Sequence, residues 1–258
     1  MSLPFPALAP AYEKSNAVNE LLEQAIAAHG GMDRWNELSS VSARVLGGGA
    51  LWGLKGQEGV LDDVVTRAEL HRQVARTTPF GRPDLSSVVT PDRVVIETAA
   101  GEVAEERSRP RESFVGHEIA TGWDRLHLAY FNGYAMWNYL TEPFLLAGPG
   151  FQLEELAPHH EDGEVWRALR VVFPDEVATH SREQTYYVDA EGHIRRHDYV
   201  PDVFGPGAPV AANYSFDPRR YDGILVPTRR LVYLLDAEGR PDKNTVIVSI
   251  ELQDVRFQ

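Results

Sequence analysis

The chain contains no cysteine. That removes disulfides, thiolate nucleophiles, cysteine-ligated metals and iron–sulfur clusters at once. Positive charge is also scarce, with 25 Lys and Arg against 38 Asp and Glu and a formal net charge of −13. Such a balance repels nucleic-acid phosphates and anionic lipid surfaces, and no basic run offsets it. Nucleic acid is therefore not expected as a partner. No apolar run is long enough to span a bilayer as a helix, so no membrane span is expected. The opening MSLPFPALAPAYEKS has no basic n-region, and Pro4, Pro6 and Pro10 break its apolar residues, which is not the pattern of a secretory signal. The expectation is a cytoplasmic protein, or a periplasmic or secreted one if a signal was removed ahead of this sequence.

The motifs of several large enzyme classes are missing too. There is no GxSxG, no P-loop, no GxGxxG after a strand and no HExxH, so hydrolase, NTPase and dinucleotide readings lose their usual support. Gly47-Gly48-Gly49 is followed by no helix start and no GKS/T, and reads as a bend or bulge. His193 and His197 stand four apart in a strand pattern, about 13 Å between Cα atoms, too far to share a zinc ion. His159-His160 fall in an acidic turn, HHEDG, without partners to orient them. Neither a metal nor a cofactor is expected.

What the chain does have is a dense aromatic stretch from Trp123 to Leu146. At 100° per residue, Leu126, Trp137, Tyr130, Tyr134, His127, Asn138 and Phe131 share one arc of about 140°. The opposite arc holds Ala135, Leu128, Tyr139, Met136, Ala129 and Leu140. A helix apolar almost all round must be covered on both sides. Because one arc also carries hydrogen-bonding groups, it is expected to form the wall of a cavity.

Around this helix the pattern is mostly strands. After a Pro-rich lead over 1–15, the spacing of Val18, Leu21, Leu22, Ala25 and Ile26 predicts a helix from Asn16 to His29, stopped by Gly30-Gly31. A short helix is expected over 33–38. Strands are expected over 40–46, 49–53, 59–65, 67–76, 87–89, 93–98 and 102–107. Beyond a helical insert at 110–150 they resume over 151–156, 164–173, 183–188, 194–201, 223–235 and 244–257. The fold class is therefore α+β: a large curved antiparallel sheet of about eleven strands, an unclosed β-barrel, wrapped around a central helix. One domain over 1–258 is expected, with the insert filling the concave face.

This pattern, with AIAAHGGMDRWNELSSVSARV (Ala25 to Val45), RRHDY (Arg195 to Tyr199) and YDGILVPTRR (Tyr221 to Arg230), resembles the LolA/LolB-like half-barrels of the lipoprotein-carrier type. The resemblance is to a bacterial branch of unassigned function. It implies an open barrel, plugging helices and an apolar cavity. Members include envelope carriers of acyl chains and an intracellular natural-product catalyst that needs no metal. The chain departs from the carriers in lacking a signal and a lipoprotein cysteine, so lipoprotein transport is not the expectation.

Two functions follow. The first is binding of a hydrophobic or aromatic small molecule or lipid between sheet and helix, with Tyr130, Phe131, Trp137 and Asn138 lining the cavity. Arg196 and Arg229 are candidates to hold a polar head group. The second is a cofactor-independent lyase, isomerase or cyclase in which His127, Tyr134 and Asp198 move protons. Each residue has a plainer alternative. His127 can cap a carbonyl, the aromatic stripe can be ordinary core, Arg196 and Asp198 can form a surface pair, and Arg229 can pair with Asp217 or Asp222.

Overall fold

The computed structural model describes residues 19–258; the Pro-rich lead and the start of the helix expected from Asn16 lie outside the described residues. Helix α1 runs from Glu20 to His29. Asn19 caps it by accepting from the N–H groups of Leu21 (3.0 Å) and Leu22 (3.2 Å), which satisfies two otherwise unpaired donors. Gly30, at φ 128°, and Gly31 end it, with the Gly31 N–H returning to Ile26 O. A left-handed exit of this kind favours a residue without Cβ. Helix α2 (Met32–Asn36) follows.

Thirteen strands form one antiparallel sheet. They are β1 (Ser40–Gly48), β2 (Val64–Glu69), β3 (Ala75–Thr78), β4 (Leu85–Thr90), β5 (Arg93–Thr98) and β6 (Val103–Ser108) on one side of the insert. On the other side are β7 (Gln152–Glu161), β8 (Glu164–Val172), β9 (Glu183–Val188), β10 (Ile194–Tyr199), β11 (Ala211–Tyr221), β12 (Ile224–Leu234) and β13 (Val248–Phe257). Sequence neighbours pair within each half, β1 joins β13 in the middle, and β6 and β7 are the two free edges. Both edges are largely exposed and acidic, with Glu105 and Glu106 on one and Glu154, Glu155 and Glu161 on the other. Pro158 also sits at an irregularity of β7. Like charge and a missing N–H oppose pairing of these edges with each other or with another chain.

The segment joining the edges carries helix α4 (Arg125–Thr141), numbered after a short α3 (Ala50–Leu54). Asp124 accepts from the His127 N–H (2.8 Å) and His127 Nδ1 accepts from the Asp124 N–H (3.2 Å). This is a capping box with histidine in the place usually held by Glu or Gln. Helix α4 lies on β2 to β6, and its Tyr139 also reaches Tyr199 on β10 (3.0 Å between hydroxyls), so the sheet curves around it. Every residue from 128 to 141 is buried, as a helix apolar on all sides requires.

Several expectations change. Residues 59–63 are turns, with β2 starting at Val64, and the one strand expected over 67–76 is interrupted at 70–74, where the chain reverses from β2 into β3. Residues 49–53 are not a strand, because Gly49 turns the chain at φ 110° into α3, where Leu51 and Trp52 enter the core and the Ala50 and Leu51 N–H groups bond to Val246 O and Ile247 O. His159 and His160 belong to β7, leaving Asp162-Gly163 as the turn. Strand β11 had no sequence expectation, and the sheet has thirteen strands instead of about eleven.

Helix α4 comes close to the sheet at Gly133, where an added Cβ would stand 2.5 Å from Val89 on β4. Helix propensity alone favours Ala over Gly by about 1 kcal/mol, whereas overpacking costs about 1–3 kcal/mol. Gly133→Ala is therefore expected to lower stability in urea denaturation, and a rise would show that the contact yields freely.

Candidate functional site

At one end of the half-barrel lies a groove of about 850 Å³. Its apolar walls come from separate parts of the chain: Trp35 on α2, Leu70 after β2, Trp137 on α4, Phe144 and Phe151 between α4 and β7, and Val177 between β8 and β9. Trp35 and Phe144 stack with ring centroids 4.2 Å apart and planes 6° from parallel. Trp137 Nε1 donates to Glu69 O (2.7 Å) and Arg72 O (3.1 Å). Its one polar atom is thus satisfied by backbone, and an apolar ring is left for the groove. His71, Arg72 and Glu176 add a polar rim. The volume suits a small-molecule site, which is commonly a largely apolar concavity with a few polar groups.

The cavity expected along the α4 arc is filled. Beside Phe131, Tyr139 and Tyr199, about 30 Å³ remains between α4 and the sheet, roughly the share of one water molecule. Phe131 packs on Trp123 (5.0 Å), His180 (5.3 Å) and Phe204 (6.1 Å). Tyr130 meets Tyr134 edge-on at 5.2 Å and lies under the Arg111 guanidinium. Asn138 donates to Tyr134 O (2.9 Å) and Ala178 O (3.1 Å). Apart from Asn138 Oδ1, which is buried without a partner, the polar groups of the arc bond within the protein, and Trp137 is the arc residue that reaches the groove.

The three proton-transfer candidates do not converge. His127 serves the helix cap and its Nε2 lies 3.3 Å from Ser113 O, with burial lowering its pKa. Tyr134 is enclosed in the core, its hydroxyl 3.4 Å from His180 Nδ1, and burial raises its pKa well above the ordinary value. Asp198 stands on the opposite, outer face of the sheet. There it takes both Nε (2.7 Å) and Nη2 (2.8 Å) of Arg196. Burial raises the Asp198 pKa and Arg196 works against that rise.

The Arg196–Asp198 pair is neither cavity lining nor a solvated ladder. Arg196 is 2% exposed, between the rings of Tyr187 (5.2 Å) and Tyr214 (5.3 Å), and also donates to Glu161 (2.8 Å). A second apolar cluster of Trp166, Tyr214 and Tyr233 covers this outer face. Arg229 also points outward, pairing with Asp217 at 2.9 Å. The inward position belongs to its neighbour Arg230.

Arg230 belongs to a buried polar layer that ties the end of α4 to the sheet. Its Nη2 donates to Glu142 (3.1 Å), and its guanidinium lies 4.6 Å from the Tyr139 ring. Tyr186 also donates to Glu142 (3.0 Å). Burial raises the Glu142 pKa, and Arg230 pulls it back. His197 stacks on Tyr186 at 4.1 Å and bonds to Gln184. His180 stacks on Tyr199 at 3.9 Å, and its Nε2 is 2.7 Å from the Tyr139 hydroxyl. Sequence reading did not single out Glu142, His180 or Tyr186, which lie on different elements.

No known family model and no curated protein matches the sequence. Solved structures do match its fold. A DUF1329 family protein from Desulfovibrio piger is 12% identical over 92% of each chain, with a TM-score of 0.54. A protein from Vibrio parahaemolyticus described as a putative outer membrane lipoprotein-sorting protein domain is 13% identical, covering 93% of this chain and 91% of its own, with a TM-score of 0.53. A LolA superfamily protein from Nitrosomonas europaea is 9% identical over 92% of each chain, with a TM-score of 0.50. The fold is thus an α+β half-barrel of the LolA-like kind. Among the described residues no helix is long and apolar enough to cross a membrane.

Burial holds His29, His180 and His197 below the ordinary histidine pKa of 6.5, His29 at about 4. The unfolded chain therefore binds more protons below about pH 6.5, so stability present above that pH is lost as pH falls toward the folded-state values. Each such histidine steepens the loss by up to about 1.4 kcal/mol per pH unit. Urea denaturation midpoints should drop steeply from pH 6.5 to pH 5; a flat profile would contradict this burial.

Proposed function

We propose that this protein binds a hydrophobic small molecule, an acyl chain or an apolar ring system, in the groove at the end of the half-barrel. The observation that carries the reading is the apolar aromatic lining itself. Trp35, Phe144 and Trp137 border a space of about 850 Å³, with Trp35 and Phe144 stacked and the indole N–H of Trp137 already bonded to backbone. Transfer of apolar surface from water into such a site stabilises the complex by about 25 cal/mol per Å² buried, before the costs of association. The sorting role described for the Vibrio protein accords with an apolar cargo and with a place in the cell envelope, which we favour over the cytoplasm. Residues 1–258 act as one binding unit in this reading.

The second reading, a cofactor-independent acid–base catalyst, rests on the hydroxyl and imidazole chain of Tyr134, His180, Tyr139 and Tyr199. Its reacting groups adjoin about 30 Å³ of space, too little for a metabolite while α4 is in place, and this puts the carrier first.

The test is titration with a fluorescent fatty acid. Val177, half-buried at the groove, is expected to weaken binding about tenfold or more when changed to Lys, because a charge then faces the apolar ligand. His127→Gln is expected to leave affinity unchanged. No saturable binding by the wild type would remove the proposal, and loss caused by His127→Gln with none by Val177→Lys would move the site away from the groove.

A further inference from the structure

Away from the groove, the wall of the sheet splits. The ladder between β10 and β11 runs from Tyr199–Ala211 to Arg196–Tyr214 and stops there. Three local irregularities lie beyond that point: a register shift between Ile194 and Arg196 where β10 pairs with β9, Pro218 opposite Pro227 where β11 pairs with β12, and Asp217 at φ 53°. A bulge bends its strand, and proline brings no N–H to a ladder. The result is a cleft of about 270 Å³ with His29, the last residue of α1, against it.

Two deeply buried residues line this cleft, Ser215 with its hydroxyl unpaired and His29 with one ring nitrogen bonded to backbone. Ser215 is 4% exposed, and its Oγ has no hydrogen bond. His29 is 1% exposed. Its Nδ1 lies 2.7 Å from Ala25 O, so Nδ1–H donates to that carbonyl and Nε2 keeps a lone pair with no protein donor among the described residues. A buried polar atom such as Ser215 Oγ is seldom left unpaired. Arg195 and His193 also line the cleft. Arg195 shares Nη1 with Asp189 (3.2 Å) and Glu164 (3.5 Å), leaving Nε and Nη2 without side-chain acceptors among the described residues.

We propose that this cleft binds a small hydroxycarboxylate. A ligand hydroxyl donates to His29 Nε2 and accepts from Ser215 Oγ–H, while the carboxylate meets Arg195. The volume suits a molecule of a few carbons, unlike the groove, which is three times larger. A carboxylate alone does not suit the interior, because the lone pair of a neutral imidazole repels it. Burial keeps His29 neutral at pH 7, its pKa being lowered to about 4. The charged groups nearby are Arg195 and His193 on β10 and its approach, Arg220 on β11, Arg230 on β12, and Asp217, whose carboxylate is already taken by Arg229. Asp189 and Glu164 already hold Nη1 of Arg195, so it is the Nε and Nη2 donors they leave free that an anionic end of the ligand would meet.

The experiment is an NMR titration of the isotopically labelled protein with gluconate at pH 7, with sorbitol and acetate as the uncharged and hydroxyl-free comparisons. The expected result is saturable shifts centred on His29, Arg195 and Ser215, with sorbitol and acetate each bound at least about tenfold more weakly. Ser215→Ala should weaken gluconate binding about tenfold, and Arg195→Gln should remove the preference over sorbitol. Because His29 ends α1, its replacement is left aside in favour of these two substitutions. Absence of localised shifts, equal binding of acetate or sorbitol, or indifference to Ser215→Ala would each overturn the proposal.

Discussion

The demand of α4 to be covered on every side organises this molecule. A helix carrying Leu128, Tyr130, Tyr134, Met136, Trp137 and Tyr139 around its circumference cannot leave a face in water without exposing several large side chains, each worth about 1.5–3 kcal/mol on burial. A flat sheet covers one face. A sheet of thirteen strands with its natural twist curls, and the curl brings β10 to the side of α4 that β2 to β6 leave open. The chain between the two sheet edges supplies the helix itself, so the open seam and the filled interior are two aspects of one topology.

Filling the interior has a consequence for binding. With about 30 Å³ left beside Tyr139 and Tyr199, the larger space lies where α4 ends and the chain turns toward β7. The same turn places Glu142 beside Arg230 and Tyr186 in the buried polar layer. Desolvating such a pair costs free energy that packed apolar residues of similar volume avoid, and removing one partner costs about 3–5 kcal/mol because the other charge is stranded. The pair fixes where α4 must end, and with it the position of Trp137 and Phe144 in the groove.

Much of this architecture was legible in the residues. The Gly30-Gly31 stop is local chemistry, and the alternation of β13 announces a strand with one dry face, whereas the cap at Asn19 was not singled out in a helix expected from Asn16. The α4 stripe was legible as a helix buried on both sides, yet sequence could not show that Asn138 would spend its amide on Tyr134 O and Ala178 O. That depends on where residue 178 arrives from another part of the chain. Alternation put Arg229 and Arg230 on opposite faces, but which face was inner depended on the sheet. Arg196 escaped for a related reason: its burial comes from Tyr187 and Tyr214 on the outer face, not from the cavity side. The groove left no local signal because its lining residues are spread from Met32 to Val177 in sequence and meet only in the fold.

The measurement that bears most directly on this account is quenching of tryptophan fluorescence by a fatty acid brominated along its chain, read in variants that each keep one tryptophan. Trp35 and Trp137 line the groove, whereas Trp52 and Trp123 pack against Phe131 between α4 and its cover. The account predicts quenching of Trp35 and Trp137 with Trp52 and Trp123 untouched. Quenching of Trp52 and Trp123 with Trp35 and Trp137 unaffected would place the ligand inside the half-barrel, require α4 to move, and contradict the assignment of the groove.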